Sequence, residues 1–353
     1  MTGGAIYSRV LKDGRLQCLV CPHTCILKEG QRGRCFIRMA EGERVILTAY
    51  GRSSGCCVDP MEKKPLYHFL PGTAVLSFGT AGCNLSCRFC QNWELSRSRS
   101  MERMMVRSSP ETIARAALRN GCRSVAYTYN DPVVFLEYAM DTAEACREHG
   151  IASVAVTAGY IQGKAREDFF CRMDAANVDL KGFSESFYGK YCGASLKPVL
   201  ETLDYIRHET SLWLEVTTLV IPGHNDSDAE LDALSAWIFE HLGADTPLHF
   251  TAFHPDHQFR HVQRTPVTVL QRARKRAMNQ GLHYVMTGNV HDPAGSGTYC
   301  HHCGHLLIGR AVFCITEWQL SEGGCCCVCG TQCAGIFEKG PGQWGSESLT
   351  FRG

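Results

Sequence analysis

Ser77-Phe78-Gly79-Thr80-Ala81-Gly82-Cys83-Asn84-Leu85-Ser86-Cys87-Arg88-Phe89-Cys90 decides how the rest of the chain is read. An apolar run ends at Phe78, glycines loosen the backbone, and three cysteines follow in a C-x3-C-x2-C pattern. Iron–sulfur clusters are held by thiolates, and the complete set for a [4Fe-4S] cube is four. Cys83, Cys87 and Cys90 leave one iron without a protein ligand, and an open metal position admits a small molecule. The competing reading is a zinc loop or scattered core cysteines. The flanking glycine, Phe89 before the last cysteine, and Asn92 just beyond it favour the cluster.

The chain has 353 residues, enough to bury a full core and carry appendages. A formal net charge of +1 gives no reason to expect nucleic acid or an anionic membrane surface as partner. No apolar run is long enough to span a bilayer, and the N-terminal stretch lacks the apolar centre of a signal peptide. These features predict a cytoplasmic protein. Its 21 cysteines are odd in number, sit in a large chain and recur as C-x2-C pairs, so metal explains them better than disulfides.

Working outward from the cysteine loop, apolar β-branched runs recur near 74–79, 124–129, 153–158, 176–181, 212–221, 247–253 and 283–287. Helical patterns lie between most of them. Ser109-Pro110-Glu111 makes a helix start and Asn120-Gly121 a stop. Pro132 to His149 carries Val134, Phe135, Tyr138 and Ala139 at helical spacing, and Thr265-Pro266 opens a helix to about Asn279. Strands alternating with helices predict an α/β fold with a parallel sheet and right-handed crossovers. Six or seven such units suit a partial or open (β/α) barrel, with functional side chains at the C-terminal ends of the strands.

Both ends of the chain are rich in cysteine. Cys18, Cys21, Cys25 and Cys35 could close a zinc knuckle, hold a second iron–sulfur cluster, or be buried thiols. In the tail, Cys300 and Cys303 with Cys326 and Cys329 give C-x2-C-x22-C-x2-C, close to zinc-ribbon spacing, although a rubredoxin-like iron site uses the same ligands. Cys325, Cys327 and Cys333 crowd that second knuckle. The stretches 306–308 and 311–315 suit ribbon strands. Structural zinc contributes on the order of 10 kcal/mol, enough to fold such a lobe with little core. The chain thus divides into a Cys-rich extension and loop (1–73), a barrel (74–292) and a zinc-ribbon-like tail (293–353). The last dozen residues, rich in glycine and serine, read as a loose end.

The stretch Asp59-Pro60-Met61-Glu62-Lys63-Lys64-Pro65-Leu66-Tyr67-His68-Phe69 is an ordered, turn-rich loop. With the cysteine loop, Gln91-Asn92-Trp93, Tyr127-Thr128-Tyr129-Asn130, Val178-Asp179-Leu180-Lys181, Ile221-Pro222-Gly223, Phe253-His254-Pro255-Asp256 and Gly288-Asn289-Val290, it resembles the AmmeMemoRadiSam-system radical S-adenosylmethionine (SAM) enzymes. Those are relatives of the pyruvate formate-lyase activating enzymes. The resemblance runs from Cys18 to Phe337. It implies a [4Fe-4S] cluster on Cys83, Cys87 and Cys90, SAM on the open iron, and an external one-electron reductant such as flavodoxin or ferredoxin. It also implies Memo-like and AMMECR-like proteins as partners.

The same resemblance assigns the cradle for SAM to Phe89, Asn92, Asp131, Thr157, Asp179, Lys181 and His254. Asp131 stands where relatives hold the SAM amine, yet Asp before Pro132 is also a good helix cap. At Thr157-Ala158-Gly159 the alanine replaces a polar residue, so only Thr157 carries over. Asp179 and Lys181 share a strand face, as a SAM-carboxylate and ribose site or as a structural ion pair. Glu215 and Thr217 share a face of the next strand. Asn225-Asp226-Ser227 reads as a helix cap, and His249 as a satisfied core histidine. The reaction implied is reductive SAM cleavage followed by hydrogen abstraction. Glycyl-radical installation in a partner enzyme is the second reading, and a non-catalytic iron–sulfur or zinc protein the third. Gln91 to Val125 contains only Cys122, so the eight-cysteine insert of some activases is missing. Both metal-bearing ends could also fold over the barrel mouth. Together these favour a substrate other than a formate-lyase-like enzyme.

Overall fold

The computed structural model describes residues 7–99 and 106–351. Its centre is a nine-stranded sheet. Strand β1 (Cys56–Pro60) is followed by β2 (Ala74–Phe78), β3 (Ser124–Tyr127), β4 (Ala152–Thr157), β5 (Ala175–Asp179), β6 (Trp213–Val220), β7 (Leu248–Ala252) and β8 (Val285–Gly288). From β2 to β8 each strand pairs in parallel with the next. β2 does not pair with β8; β1 covers its outer edge in antiparallel register instead, so the barrel is partial. Every residue of β2, β3 and β7 is buried, which is why these strands read as unbroken apolar runs.

Helices α1 (Pro110–Arg119), α2 (Leu136–Arg147), α3 (Gly163–Phe170), α4 (Lys197–Glu209), α5 (Asp228–Leu242) and α6 (Val267–Asn279) lie between the strands. α1 begins as its sequence dictates, with Ser109 accepting from the Thr112 N–H and Pro110 in the first turn. The single helix expected from Pro132 is instead a 3-10 turn over Pro132–Phe135 followed by α2. Asp131 caps the 3-10 turn through the Val133 N–H, and Phe135 leaves helical geometry before α2 starts.

The loop between β1 and β2 plugs the N-terminal end of the barrel. Glu215, fully buried, accepts the backbone N–H of Tyr67 (3.0 Å) and of His68 (2.8 Å), as well as the His249 ring (2.6 Å) and the Trp213 indole (2.9 Å). Asn177 donates to the Pro65 carbonyl at 2.7 Å. Glu215 therefore anchors the plug, while Thr217, on the same face nearer the strand's end, reaches the cleft.

The tail seats beneath this plug and away from the mouth. Its strands β9 (Leu306–Ala311) and β10 (Cys314–Trp318) form a ribbon. Arg310 on β9 is buried, donates to the Tyr67 carbonyl at 2.6 Å and faces Glu62 at 3.8 Å. His68 Nδ1 donates to the Ala334 carbonyl at 2.7 Å, and the Leu70 N–H to that of Ile336 at 2.8 Å. The end expected to hang loose forms β11 (Leu349–Phe351), which pairs with β1 from Cys56 to Val58. Its backbone groups find partners on an otherwise unpaired sheet edge.

At the other end, the N-terminal extension is built from short antiparallel strands, among them a hairpin of Arg38–Glu41 with Arg44–Leu47. A buried ion pair from Arg38 to Glu137 on α2 fastens it to the barrel, with one bond at 2.9 Å. Among the described residues no helix is long and apolar enough to cross a membrane.

Candidate active site

The C-terminal ends of the strands open on a cleft of about 430 Å³. The loop after β2 forms one wall, with Cys83, Cys87 and Cys90 all facing the cleft. Its shape is set by backbone bonds rather than by chance packing. Asn130 accepts the Thr80 N–H at 3.0 Å and donates to the Gly82 carbonyl at 2.7 Å. Ser86 N–H bonds the Cys192 carbonyl and Arg88 N–H that of Tyr191, both at 2.8 Å. Gly193, at φ 64°, lies so close that a Cβ would stand 2.1 Å from Ser86 Oγ. Asn84 reaches the Tyr160 carbonyl at 2.8 Å.

The opposite wall carries the charged groups. Asp131 is buried; its Oδ1 accepts from Val133 N–H (3.0 Å) and Thr157 Oγ1 (2.8 Å), and Oδ2 from Ala158 N–H (2.9 Å). The cap reading is therefore realised, and the carboxylate lines the cleft as well. Lys181 Nζ bonds Asp179 Oδ2 at 2.8 Å, so the two form an ion pair. Burial pulls the Lys181 ammonium down, but Asp179 and then Cys87 outweigh it and hold the group well above its ordinary value. Burial likewise raises the Asp131 carboxyl, against the donors that face it.

Desolvation, then the Asp131 charge, lifts the Cys83 thiol well above its usual range. Cys87 is lifted by a bond with Cys192 and then by burial, and Cys90 chiefly by burial. Bare, these thiols keep their protons; metal must displace them. Three thiols line the cleft with room beside them, and Cys192, the partner of Cys87, is buried and does not line it, so the set fits a cluster with an open corner.

Six of the seven side chains expected to cradle a ligand line this cleft: Phe89, Asn92, Asp131, Thr157, Asp179 and Lys181. Phe89 packs between Phe187, tilted at 5.8 Å between ring centroids, and Phe259, edge-on at 5.9 Å. His254 does not join them. Phe253 is buried, and its N–H is held by Thr265 Oγ1 at 3.0 Å, which turns the chain outward and leaves His254 exposed. Thr251 of β7 faces the cleft instead.

The four tail cysteines meet in one place. Their sulfurs all lie within 4.8 Å of one another, with Cys300 to Cys329 at 3.5 Å and Cys303 to Cys326 at 3.7 Å. Zinc–thiolate bonds of about 2.3 Å place tetrahedral sulfurs about 3.8 Å apart, so this set fits one ion. Cys325 is turned away, toward Gln332 at 3.2 Å.

A family model described as the Radical SAM superfamily matches residues 78–234, the cysteine loop and most of the barrel. The chain is also 40% identical over 309 residues to the uncharacterized protein MJ0808 of Methanocaldococcus jannaschii, across 88% of this chain and 92% of that one. The chain belongs to the radical SAM superfamily. It is 27% identical over 140 residues to the benzylsuccinate synthase activating enzyme of Thauera aromatica, 39% of this chain and 42% of that enzyme, a relation to activating enzymes. The structure of Streptococcus suis SuiB bound to precursor peptide SuiA superimposes with a TM-score of 0.50 at 15% identity, over 65% of this chain and 52% of that one, a likeness of fold. Membership of the superfamily implies a [4Fe-4S] cluster, SAM and an electron donor of the flavodoxin or ferredoxin kind.

Several cleft residues of this radical SAM protein escaped sequence reasoning. Lys64, from the plug, stands 5.5 Å from the Tyr129 ring centroid and lines the cleft. Tyr129 and Asn289, at φ 70° and 59°, occupy the left-handed region at the cleft rim. For a bulky residue such as Tyr129 that is costly and marks a constrained site. Asn130, which shapes the cysteine loop, closes the quoted motif Tyr127-Thr128-Tyr129-Asn130, but that motif did not assign it a role.

Proposed function

We propose that the protein cleaves SAM reductively and abstracts a hydrogen atom from an organic substrate other than a formate-lyase-type enzyme. The observation that carries this is a single cleft lined by Cys83, Cys87, Cys90, Asp131, Asp179 and Lys181. With a [4Fe-4S] cluster and SAM bound, the pair supplies one-electron cleavage of the sulfonium to methionine and a 5'-deoxyadenosyl radical. Cys83, Cys87 and Cys90 would hold three irons as thiolates, releasing their protons as metal enters. Asp131 would accept from the SAM amine, as a carboxylate takes strong charge-assisted bonds. Asp179 and Lys181 would exchange part of their mutual bond for the SAM ribose and carboxylate. Asn92, Thr157 and Phe89 would complete the cradle, while Leu85, Val156 and Leu219 keep water from its apolar side.

The quoted motifs support placing the protein in the AmmeMemoRadiSam system, with Memo-like and AMMECR-like proteins as its partners. The likeness to the benzylsuccinate synthase activating enzyme supports a second reading, in which a glycine of a partner enzyme is the substrate. Against it stands the missing eight-cysteine insert between Gln91 and Val125. The deciding experiment incubates anaerobically reconstituted, reduced protein with SAM and measures 5'-deoxyadenosine. Wild type should form it and Cys87→Ala should not; equal rates would end the reading. Adding pyruvate formate-lyase should give no glycyl-radical doublet by electron paramagnetic resonance (EPR). A stoichiometric, oxygen-sensitive doublet would establish the activase instead.

A further inference from the structure

Cys18, Cys21, Cys25 and Cys35 line a small enclosed cavity with Val20, His23 and Arg38, on the back of the cysteine loop. We propose that these four cysteines hold a second iron–sulfur cluster. The first argument is spacing. The tail sulfurs all approach within 4.8 Å, as one tetrahedral ion requires, but no three of the N-terminal four meet that limit. An ion with bonds of about 2.3 Å cannot span wider thiols, whereas a cluster binds each thiolate at a different iron. Zinc therefore fits the tail and a cluster fits the N-terminal extension.

The second argument is the composition of the cavity. Cys18 and Cys35 are buried, and Val20, Val133 and Val134 line the same cavity. Arg38, held by Glu137, also borders them. Cys25 Sγ accepts the Arg34 N–H at 3.5 Å, the kind of bond that stabilises a ligating sulfur.

The third is position. Gly82, directly before Cys83, sits so near the Cys35 carbonyl that a Cβ would stand 2.2 Å away. His23 Nε2 donates to the Asn84 carbonyl at 2.8 Å, and Asn84 itself borders the four-cysteine cavity. Cys35 and Cys83 also line one shared surface groove with Arg34 and Arg97. A cluster here lies between solvent and the cleft. It would take one electron from a flavodoxin- or ferredoxin-type donor, which is oxidised by one electron, and return to its oxidised state on passing that electron to the cleft. This relay rests on the function proposed above; the presence of the cluster does not.

The test removes the loop cysteines from the full chain, as Cys83→Ala, Cys87→Ala and Cys90→Ala together. After anaerobic reconstitution the variant should retain about four iron and four acid-labile sulfide per chain, with a reduced EPR signal that SAM leaves unchanged. Iron without sulfide, or zinc at both ends of the chain, would overturn the proposal. A companion variant, Cys18→Ser with Cys21→Ser, should lose about half of the wild-type sulfide, and retention of all of it would also overturn the proposal. If the triple variant does not fold, the wild type decides: about eight sulfides per chain support two clusters and about four refute them. A protein with the second cluster but no 5'-deoxyadenosine would refute the proposed function alone.

Discussion

Replacing Asp131 by asparagine separates its two roles. A carboxylate offers about four acceptor sites. Val133 N–H and Thr157 Oγ1 occupy Oδ1, and Ala158 N–H takes one site on Oδ2, so one acceptor remains on a side chain that lines the cleft. In Asp131→Asn the amide oxygen can keep Val133 and Thr157, but the NH2 group then faces the Ala158 N–H, donor against donor. A lost bond to a charged acceptor, with a buried donor left unmet, costs about 2–3 kcal/mol of stability. If the free acceptor takes the SAM amine, SAM affinity should also fall about 10- to 100-fold, since about 1.4 kcal/mol is tenfold. Both are measurable on anaerobically reconstituted protein, stability by urea unfolding and affinity by equilibrium dialysis without reductant. A variant that is destabilised as expected yet binds SAM with unchanged Kd would show that Asp131 is a cap and nothing more.

Arg310→Met should destabilise the protein by about 3 kcal/mol, because it strips the partner from a buried carboxylate. The loss should be larger at pH 8 than at pH 6. Burial already raises Glu62 to about 7 despite Arg310, and without Arg310 its folded value rises further, so stability is lost over a wider span as pH climbs. Urea midpoints at the two pH values check this, and equal losses would refute it. Burial lowers His68 to about 4, so the folded protein refuses a proton that the unfolded chain takes near 6.5. Its contribution is full above that value and fades as pH falls toward 4; between pH 7 and 5 the fall should be about 2 kcal/mol, and His68→Gln should flatten it. Truncation before Thr298 should release one zinc per chain, measured by metal analysis, and should also yield insoluble or unfolded protein, because it uncovers Tyr67, His68 and Leu70.

The parallel strands were legible because each is buried on both faces and so reads as an apolar run between turn signals. The cysteine loop was legible because ligand spacing is local. The plug's place was not: its polarity and prolines read as an ordered loop, but its partner Glu215 lies 147 residues from His68. β11 was hidden for the same reason, since a short glycine- and serine-flanked segment gains its structure only from the distant edge of β1. Asp179 and Lys181 could be placed on one strand face by alternation, whereas Asp131 and Thr157 came from the family resemblance. His254 could not be placed, because the outward turn after β7 depends on the Phe253–Thr265 bonds.

The position of the tail changes the argument about access. Sequence alone allowed both metal-bearing ends to fold over the mouth, but the tail binds the plug at the opposite end of the barrel. Access is therefore framed by the cysteine loop and the N-terminal extension, and the case against a macromolecular substrate rests there and on the missing insert. The tail still reaches the cleft, indirectly. Ser348 donates to Asp59 Oδ1 at 2.8 Å, and Asp59 Oδ2 holds Lys64 at 2.6 Å. Lys64 lines the cleft under Tyr129. One buried carboxylate thus joins the C-terminal strand to the cleft floor. The tail therefore does more than supply stability: it fixes where a cation stands beneath whatever the cleft binds.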